Sequence, residues 1–333
     1  MAVAFVHSHA AHCESGVMSS LLRHHGLPVS EAMAFGLASA VAFAYLPCIR
    51  INGLPLVAYR MPPRAIVRGL DRKLGLGMRF ETFRSPAAGM ARLDALLDAG
   101  ELVGLQTSVF WLPYFPPDLR FHFNAHNLLV YGRESDDYLI SDPVAEAPVR
   151  CARRDLQKAR FAKGMLAPKG LLYYATRAPA EPDWAGLGRS ALARTVRIML
   201  HAPLPLIGVR GIRLLARSVE RLPLERGDST RLYIGNIVRM QEEIGTGGGG
   251  FRFLYASFLQ ELAAKTGYGA LDALAVRLVG IGDRWREFAL AAARMIRGRD
   301  PLAPPALAER LRGLAAEEKR FFQDLHGAQR AWA

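Results

Sequence analysis

The hydrophobic pattern of this 333-residue chain changes kind at one proline-broken stretch, Ala178–Trp184, which reads Ala-Pro-Ala-Glu-Pro-Asp-Trp. Before it, helical and strand periodicities alternate; after it, apolar residues recur at helical spacing and nothing reads as a strand. Helices first and antiparallel strands later describe an α+β domain, expected over residues 1–177. An all-helical domain is expected over 185–333. No internal repeat is visible.

In the first part, Cys13–His25 reads as a helix stopped at Gly26, and a second helix capped by Ser30 is expected to run to about Tyr45. The Met33–Leu46 segment, the longest apolar run, is too short to span a bilayer and reads as a core helix. Asn52-Gly53 between apolar segments spells a two-residue hairpin. Further helices are expected near 65–74 and 87–98. Strands are expected near 78–83, 102–108, 121–132, 138–141 and 170–175, with a polar turn at 133–137. Beyond the linker, helices are expected near 188–200, 207–222, 229–243, 252–266, 270–297 and 305–327.

With 51% hydrophobic and 22% charged residues, the composition excludes a disordered or collagen-like chain. Three cysteines, Cys13, Cys48 and Cys151, are too few and too scattered for a disulfide framework or a paired metal motif. A reducing cytoplasm fits best, and no export signal is visible. The net charge of +13 is spread evenly: residues 1–178 hold 20 basic and 14 acidic side chains, residues 179–333 hold 23 and 16. No concentrated basic stripe marks a nucleic-acid binder, whereas a diffuse positive field suits an acidic protein partner or an anionic substrate. Arginines at helical spacing (Arg210, Arg213, Arg217, Arg221) read either as a solvated helix face or as a docking face for such a partner.

Cys13 falls in the first turn of its helix, where unpaired N–H groups and the helix dipole favour a thiolate. His126 precedes a clear strand, and Asp142-Pro143 ends the next one. If those strands pair as a hairpin, acid and imidazole meet at its open end. The acid then orients the ring that takes the proton from Cys13. Each residue also has a bland reading: a buried thiol, a satisfied strand histidine, a turn aspartate.

This order of a helix-capping Cys, a His opening a strand and Asp-Pro closing the next resembles the papain-like fold of bacteriocin-processing peptidase domains. More closely, the first half resembles the butirosin biosynthesis protein H family. The residues that carry the likeness are His-Cys-Glu-Ser at 12–15, Ser30-Glu31, Phe35-Gly36-Leu37, Leu112-Pro113-Tyr114, His122-Phe123 with His126, and Ser141-Asp142-Pro143. The second half resembles a helical domain of unknown function often fused to that family, through Gly245-Thr-Gly-Gly-Gly-Gly-Phe-Arg-Phe-Leu-Tyr255 and Phe258-Leu259.

The resemblance implies an acyltransferase that moves an acyl group from a thioester donor, an acyl carrier protein in the founding member, onto an amine. Cys13 is then the acyl-accepting nucleophile, His126 the base and Asp142 its orienter. Papain-like peptidases hold the oxyanion with a Gln six residues before the Cys, where this chain has His7. His7 replaces it, or the backbone N–H groups of Cys13 and Glu14 do the work. Tyr114, in the rigid loop Trp111–Pro117, and Arg252, after the glycine run, are further candidates for substrate contact. The glycine run lacks the Lys-Ser/Thr of a phosphate loop and reads as a tight turn, although the helix starting near Arg252 could hold a carboxylate or phosphate at its N-terminus.

Histidines 7, 9, 12, 24 and 25 raise the question of metal, but no second cluster completes a site. Neither metal nor cofactor is expected. The alternative to the transferase is a cysteine peptidase or amidohydrolase with water as acceptor. A third possibility is a binding module that kept only the fold.

Overall fold

The computed structural model describes residues 2–51, 53–179, 181–243 and 246–332. In chain order the elements are α1 (Cys13–His24), α2 (Glu31–Leu37), β1 (Val41–Ile51), β2 (Leu54–Arg60), α3 (Ala65–Leu74), β3 (Arg79–Glu81), α4 (Pro86–Asp98), β4 (Val103–Thr107), β5 (His126–Glu134), β6 (Asp137–Ser141), β7 (Val149–Ala152), α5 (Arg153–Arg160) and β8 (Leu172–Tyr174). Six helices follow: α6 (Trp184–His201), α7 (Gly208–Glu220), α8 (Gly227–Glu242), α9 (Arg252–Thr266), α10 (Ala270–Ile296) and α11 (Pro304–Ala331). The expected class, α+β followed by a helical part, is what the chain forms.

Two compact units emerge, one of residues 1–34 and 63–182, the other of residues 35–62 and 183–333. Residues 35–62 thus pack within the unit of the C-terminal helices, although a boundary at 177/185 assigns them to the first. The second unit therefore carries a strand hairpin, β1 and β2, besides its helices.

The first unit is built on an antiparallel sheet in the order β3-β8-β4-β5-β6-β7. Helix α4 covers it, with Leu93 and Leu97 packed against Val103, Leu105, Leu128, Val130 and Ile140. Ser85 caps α4 through its hydroxyl, which accepts from Ala88 N–H at 3.3 Å, and Pro86 opens the helix where no donor is lost. Strands β5 and β6 turn through Ser135, held at φ 53°, with Glu134 opposite Asp137. Strand β5 opens at His126 rather than at 121, and the sheet continues into an edge strand, β7, followed by α5, neither of which the sequence pattern revealed. A register shift between Val130 and Gly132 interrupts the β5–β6 ladder.

Gly104, in β4, is a point of close approach in the sheet. A Cβ there would lie 2.1 Å from the Tyr173 ring. The missing side chain lets that ring lie over the strand while its hydroxyl reaches Asn127 Oδ1 at 2.9 Å, next to His126. Gly104→Ala is expected to cost about 1–3 kcal/mol of stability by forcing the ring aside. A shift in thermal midpoint beyond that of a surface Gly→Ala control checks it.

The second unit corrects the helix expected up to Tyr45. Helix α2 ends at Leu37, Ser39 takes a left-handed φ of 54°, and β1 begins at Val41. Within β1 the β-branched and aromatic residues Val41, Phe43 and Tyr45 are buried, as suits a strand. Tyr45 N–H donates to Leu206 O at 2.9 Å, a partner that sequence proximity cannot show. β1 and β2 pair with Ile51 opposite Leu54, as the expected hairpin requires; Gly53 has φ 81°, and Asn52 lies outside the described residues.

The six C-terminal helices follow the expected spans closely. Trp184, expected in the linker, instead opens α6, capped by Asp183 accepting from Gly186 N–H at 2.9 Å. Gly245 lies outside the described residues, and Gly247 to Gly250 all have positive φ, a run only glycine tolerates. Their turn delivers the chain into α9.

Candidate active site

Cys13 is the first residue of α1 and is 7% exposed. Three contacts shape this helix start. The His12 side chain caps it by accepting from Ser15 N–H at 3.3 Å. Glu31, at the start of α2, receives Ala11 N–H at 2.9 Å, His12 N–H at 2.7 Å and the Ser15 hydroxyl at 3.0 Å. The Glu14 carboxylate accepts from Ile66 N–H at 2.9 Å and Val67 N–H at 3.3 Å, tying α1 to the first turn of α3. Burial raises the Glu31 carboxyl pKa, opposed by those backbone and hydroxyl donors.

Helix α1 packs on β5, whose first residue is His126. The Cys13 thiol neighbours the imidazole closely enough to help raise its pKa. Its Nε2 donates to Asp142 Oδ2 at 2.7 Å. With Nε2 spent on the carboxylate, Nδ1 is the nitrogen left for the thiol.

Asp142 follows β6 directly and is fully buried. Its Oδ1 accepts from Val144 N–H at 3.2 Å, and Oδ2 also accepts the Tyr114 hydroxyl at 2.7 Å. The Phe115 ring meets the imidazole edge-on at 5.6 Å. Burial alone would lower the His126 pKa; the charge and hydrogen bond of Asp142, helped by Cys13, outweigh it and raise the value to about 10. The ring is therefore held charged at neutral pH.

Cys13, His126 and Asp142, three positions far apart in sequence, are thus in one contact chain. The other sequence candidates have different partners. His7 spends both nitrogens, Nε2–H on Ala145 O at 3.0 Å and Nδ1 on the Ser141 hydroxyl at 2.7 Å, and so has no ring donor left for an oxyanion. The Glu14 side chain is taken up by α3. Tyr114 faces Asp142 rather than open space.

Arg252 lies in the core of the second unit, with bonds from Nε and Nη2 to the two Glu318 oxygens at 2.8 and 3.0 Å. Its Nη1 donates to Gly250 O at 2.6 Å, so the guanidinium is spent internally. The glycine turn likewise holds a carboxylate of the chain itself, since Gly249 N–H donates to Glu242 at 3.2 Å. Sequence reasoning assigned no role to Glu31. Its only signal was the Ser30-Glu31 pair, which says nothing of a contact to a segment some twenty residues earlier.

Among the described residues no group of three or more His, Cys, Asp or Glu is placed to hold a metal ion. Nor is any helix long and apolar enough to cross a membrane.

Residues 12–143 match the family described as butirosin biosynthesis protein H, N-terminal. Residues 154–325, over half of the chain, match the domain of unknown function DUF4872. No curated protein matches the chain. Among solved structures, a C39-like peptidase from Bacillus anthracis is similar at 15% identity, covering 53% of this chain and 96% of its own, with a TM-score of 0.36. The peptidase domain of Streptococcus ComA, a bifunctional ABC transporter of a quorum-sensing pathway, is similar at 16% identity, covering 50% and 93%, with a TM-score of 0.29. The order of the two matched segments is the one that the sequence motifs spell, and the chain belongs to the family described as domain of unknown function DUF4872, with the butirosin biosynthesis protein H, N-terminal match ahead of it.

Proposed function

We propose that this protein is a cysteine-dependent biosynthetic enzyme on a papain-like scaffold, and specifically an acyltransferase from a thioester donor to an amine. The observation that carries the reading is the contact chain from Cys13 at a helix N-terminus through His126 to the buried Asp142. Such a chain suits covalent acyl transfer. The match of residues 12–143 to the butirosin biosynthesis protein H, N-terminal family favours a biosynthetic role for it.

In the first half-reaction the Cys13 sulfur attacks the donor's carbonyl carbon, forming a new thioester as the old C–S bond breaks. The His126 imidazolium, charged at neutral pH, gives its proton to the departing thiolate. The exchange is close to isoenergetic because one thioester replaces another. In the second half-reaction the amine nitrogen attacks the Cys13 thioester, neutral His126 takes the amine's proton, and sulfur leaves as the amide forms. Asp142 stabilises the imidazolium that returns. The oxyanion of each tetrahedral intermediate falls to the backbone N–H groups of Cys13 and Glu14 at the start of α1, since the His7 ring is engaged elsewhere.

An acyl carrier protein is the proposed donor. Carrier proteins are acidic, and Arg210, Arg213 and Arg217 lie exposed along α7 with Arg221 exposed just past its end, which suits electrostatic encounter. A small amine is the proposed acceptor.

Intact-mass spectrometry tests the reading. The full chain is incubated with an acyl carrier thioester, a small acyl thioester, simple amides and peptides. Thioesters are expected to load Cys13 with the acyl mass and release it on addition of an amine. Turnover of peptides or amides only, with no acyl group ever on Cys13, would make the protein a hydrolase.

A further inference from the structure

We propose that Tyr114 is a positioning residue whose hydroxyl sets the strength of the Asp142–His126 bond; the inference rests on the Cys13–His126–Asp142 reading above. A single oxygen, Asp142 Oδ2, accepts both His126 Nε2–H and the Tyr114 hydroxyl, each at 2.7 Å. Two donors on one oxygen divide its negative charge, so each bond is weaker than it would be alone. The phenol thereby limits how strongly the carboxylate favours the charged ring over the neutral one. A ring that must give up its Nδ1 proton in one half-reaction and recover it in the next needs such a limit.

The surroundings keep the hydroxyl in this role. Burial, then the charge of Asp142, raises the Tyr114 pKa well above the usual range, so the group stays a donor at any working pH. Arg120 clamps the carbonyls on both sides of Tyr114: its Nε donates to Phe115 O at 2.7 Å and its Nη2 to Pro113 O at 2.6 Å. Three prolines, Pro113, Pro116 and Pro117, further restrict this turn. Phe115 from the same turn lies against the imidazole, so one short loop touches both members of the pair.

The titratable groups facing His126 are Asp142 and Cys13, and those facing Tyr114 are Asp142 and Cys151. Glu14 and Cys13 act on Tyr173, whose hydroxyl is bonded to Asn127. None of these pairs with the Tyr114 hydroxyl in place of Asp142.

The test is Tyr114→Phe, which removes one oxygen and keeps the ring. The His126 titration is followed by NMR in the full chain carrying 13C-labelled histidine, its signal assigned with His126→Gln. The midpoint is expected to rise by about half a pH unit or more, because Oδ2 then serves His126 alone. Turnover should fall roughly tenfold with KM unchanged. In an Asp142→Asn background the same change should no longer move the titration.

Should Tyr114→Phe fail to fold, a fluorotyrosine at position 114, a stronger donor of nearly the same shape, should move the midpoint downward. A midpoint that stays put, or shifts the opposite way in either variant, overturns the proposal and leaves Tyr114 a packing residue. The NMR readout needs no substrate. Failure of the transferase reading would show instead as unloaded Cys13, whatever the titration does.

Discussion

Cys13→Ala is expected to lower turnover by roughly a thousandfold or more while leaving the fold in place. The thiol is small and nearly buried, and the helix start around it is secured by backbone donors to Glu31 and by the His12 cap, none of which involves sulfur. Loss of stability should therefore stay within about 1 kcal/mol, seen as a small change in thermal midpoint. Initial rates with a thioester donor and an amine acceptor, set beside thermal melts, check both halves. A variant that keeps most of its rate would move the nucleophile elsewhere or reduce the chain to a binding module.

Asp142→Asn should also cost activity heavily, roughly a hundredfold to ten-thousandfold, because the amide neither stabilises the imidazolium nor enforces its tautomer. Here stability falls too. Asp142 is buried and receives three donors, His126, Tyr114 and Val144 N–H, and an uncharged acceptor holds them less well. A loss of roughly 1–3 kcal/mol is expected at neutral pH.

That loss should depend on pH in a defined direction. In the folded chain His126 keeps its proton up to about pH 10, against an ordinary value of 6.5 when unfolded, so the folded state binds the extra proton between these limits. The stabilisation is complete below 6.5 and drains away as pH rises towards 10. The gap in thermal midpoint between wild type and Asp142→Asn should be widest near pH 6 and should close at alkaline pH. A gap that widens as pH rises would mean that His126 is neutral in the fold.

The proposed site residues Cys13, His126 and Asp142 each carry a local mark in the sequence: a helix start, the onset of a hydrophobic strand, an Asp-Pro at a strand's end. Such marks follow from short-range periodicity and turn chemistry, which any window of the chain displays. Tyr114 was legible as a candidate but not in its role. A tyrosine in a proline-rich loop looks the same whether its hydroxyl meets a substrate or a buried carboxylate, and only the folded loop puts it 2.7 Å from Asp142. His7 and Arg252 teach the same lesson from the other side. Both are well-chosen donors whose hydrogen-bonding capacity is consumed by distant partners, Ser141 and Ala145 for one and Glu318 for the other.

Local sequence patterns account for the fold class, α+β followed along the chain by helices, for the approximate spans of most elements, and for the order of the three proposed site residues. Each depends on patterns within about twenty residues, where periodicity, capping and turn propensity act. Tertiary structure decided the rest. Residues 41–46 are apolar enough to be helix or strand, and the choice of strand comes from antiparallel pairing with β2 and the hydrogen bond from Tyr45 to Leu206, about 160 residues away. Glu31 became the clamp on the Cys13 helix for the same reason: a half-buried carboxylate goes where backbone donors would otherwise be unsatisfied, and those donors are brought to it only when α1 and α2 pack.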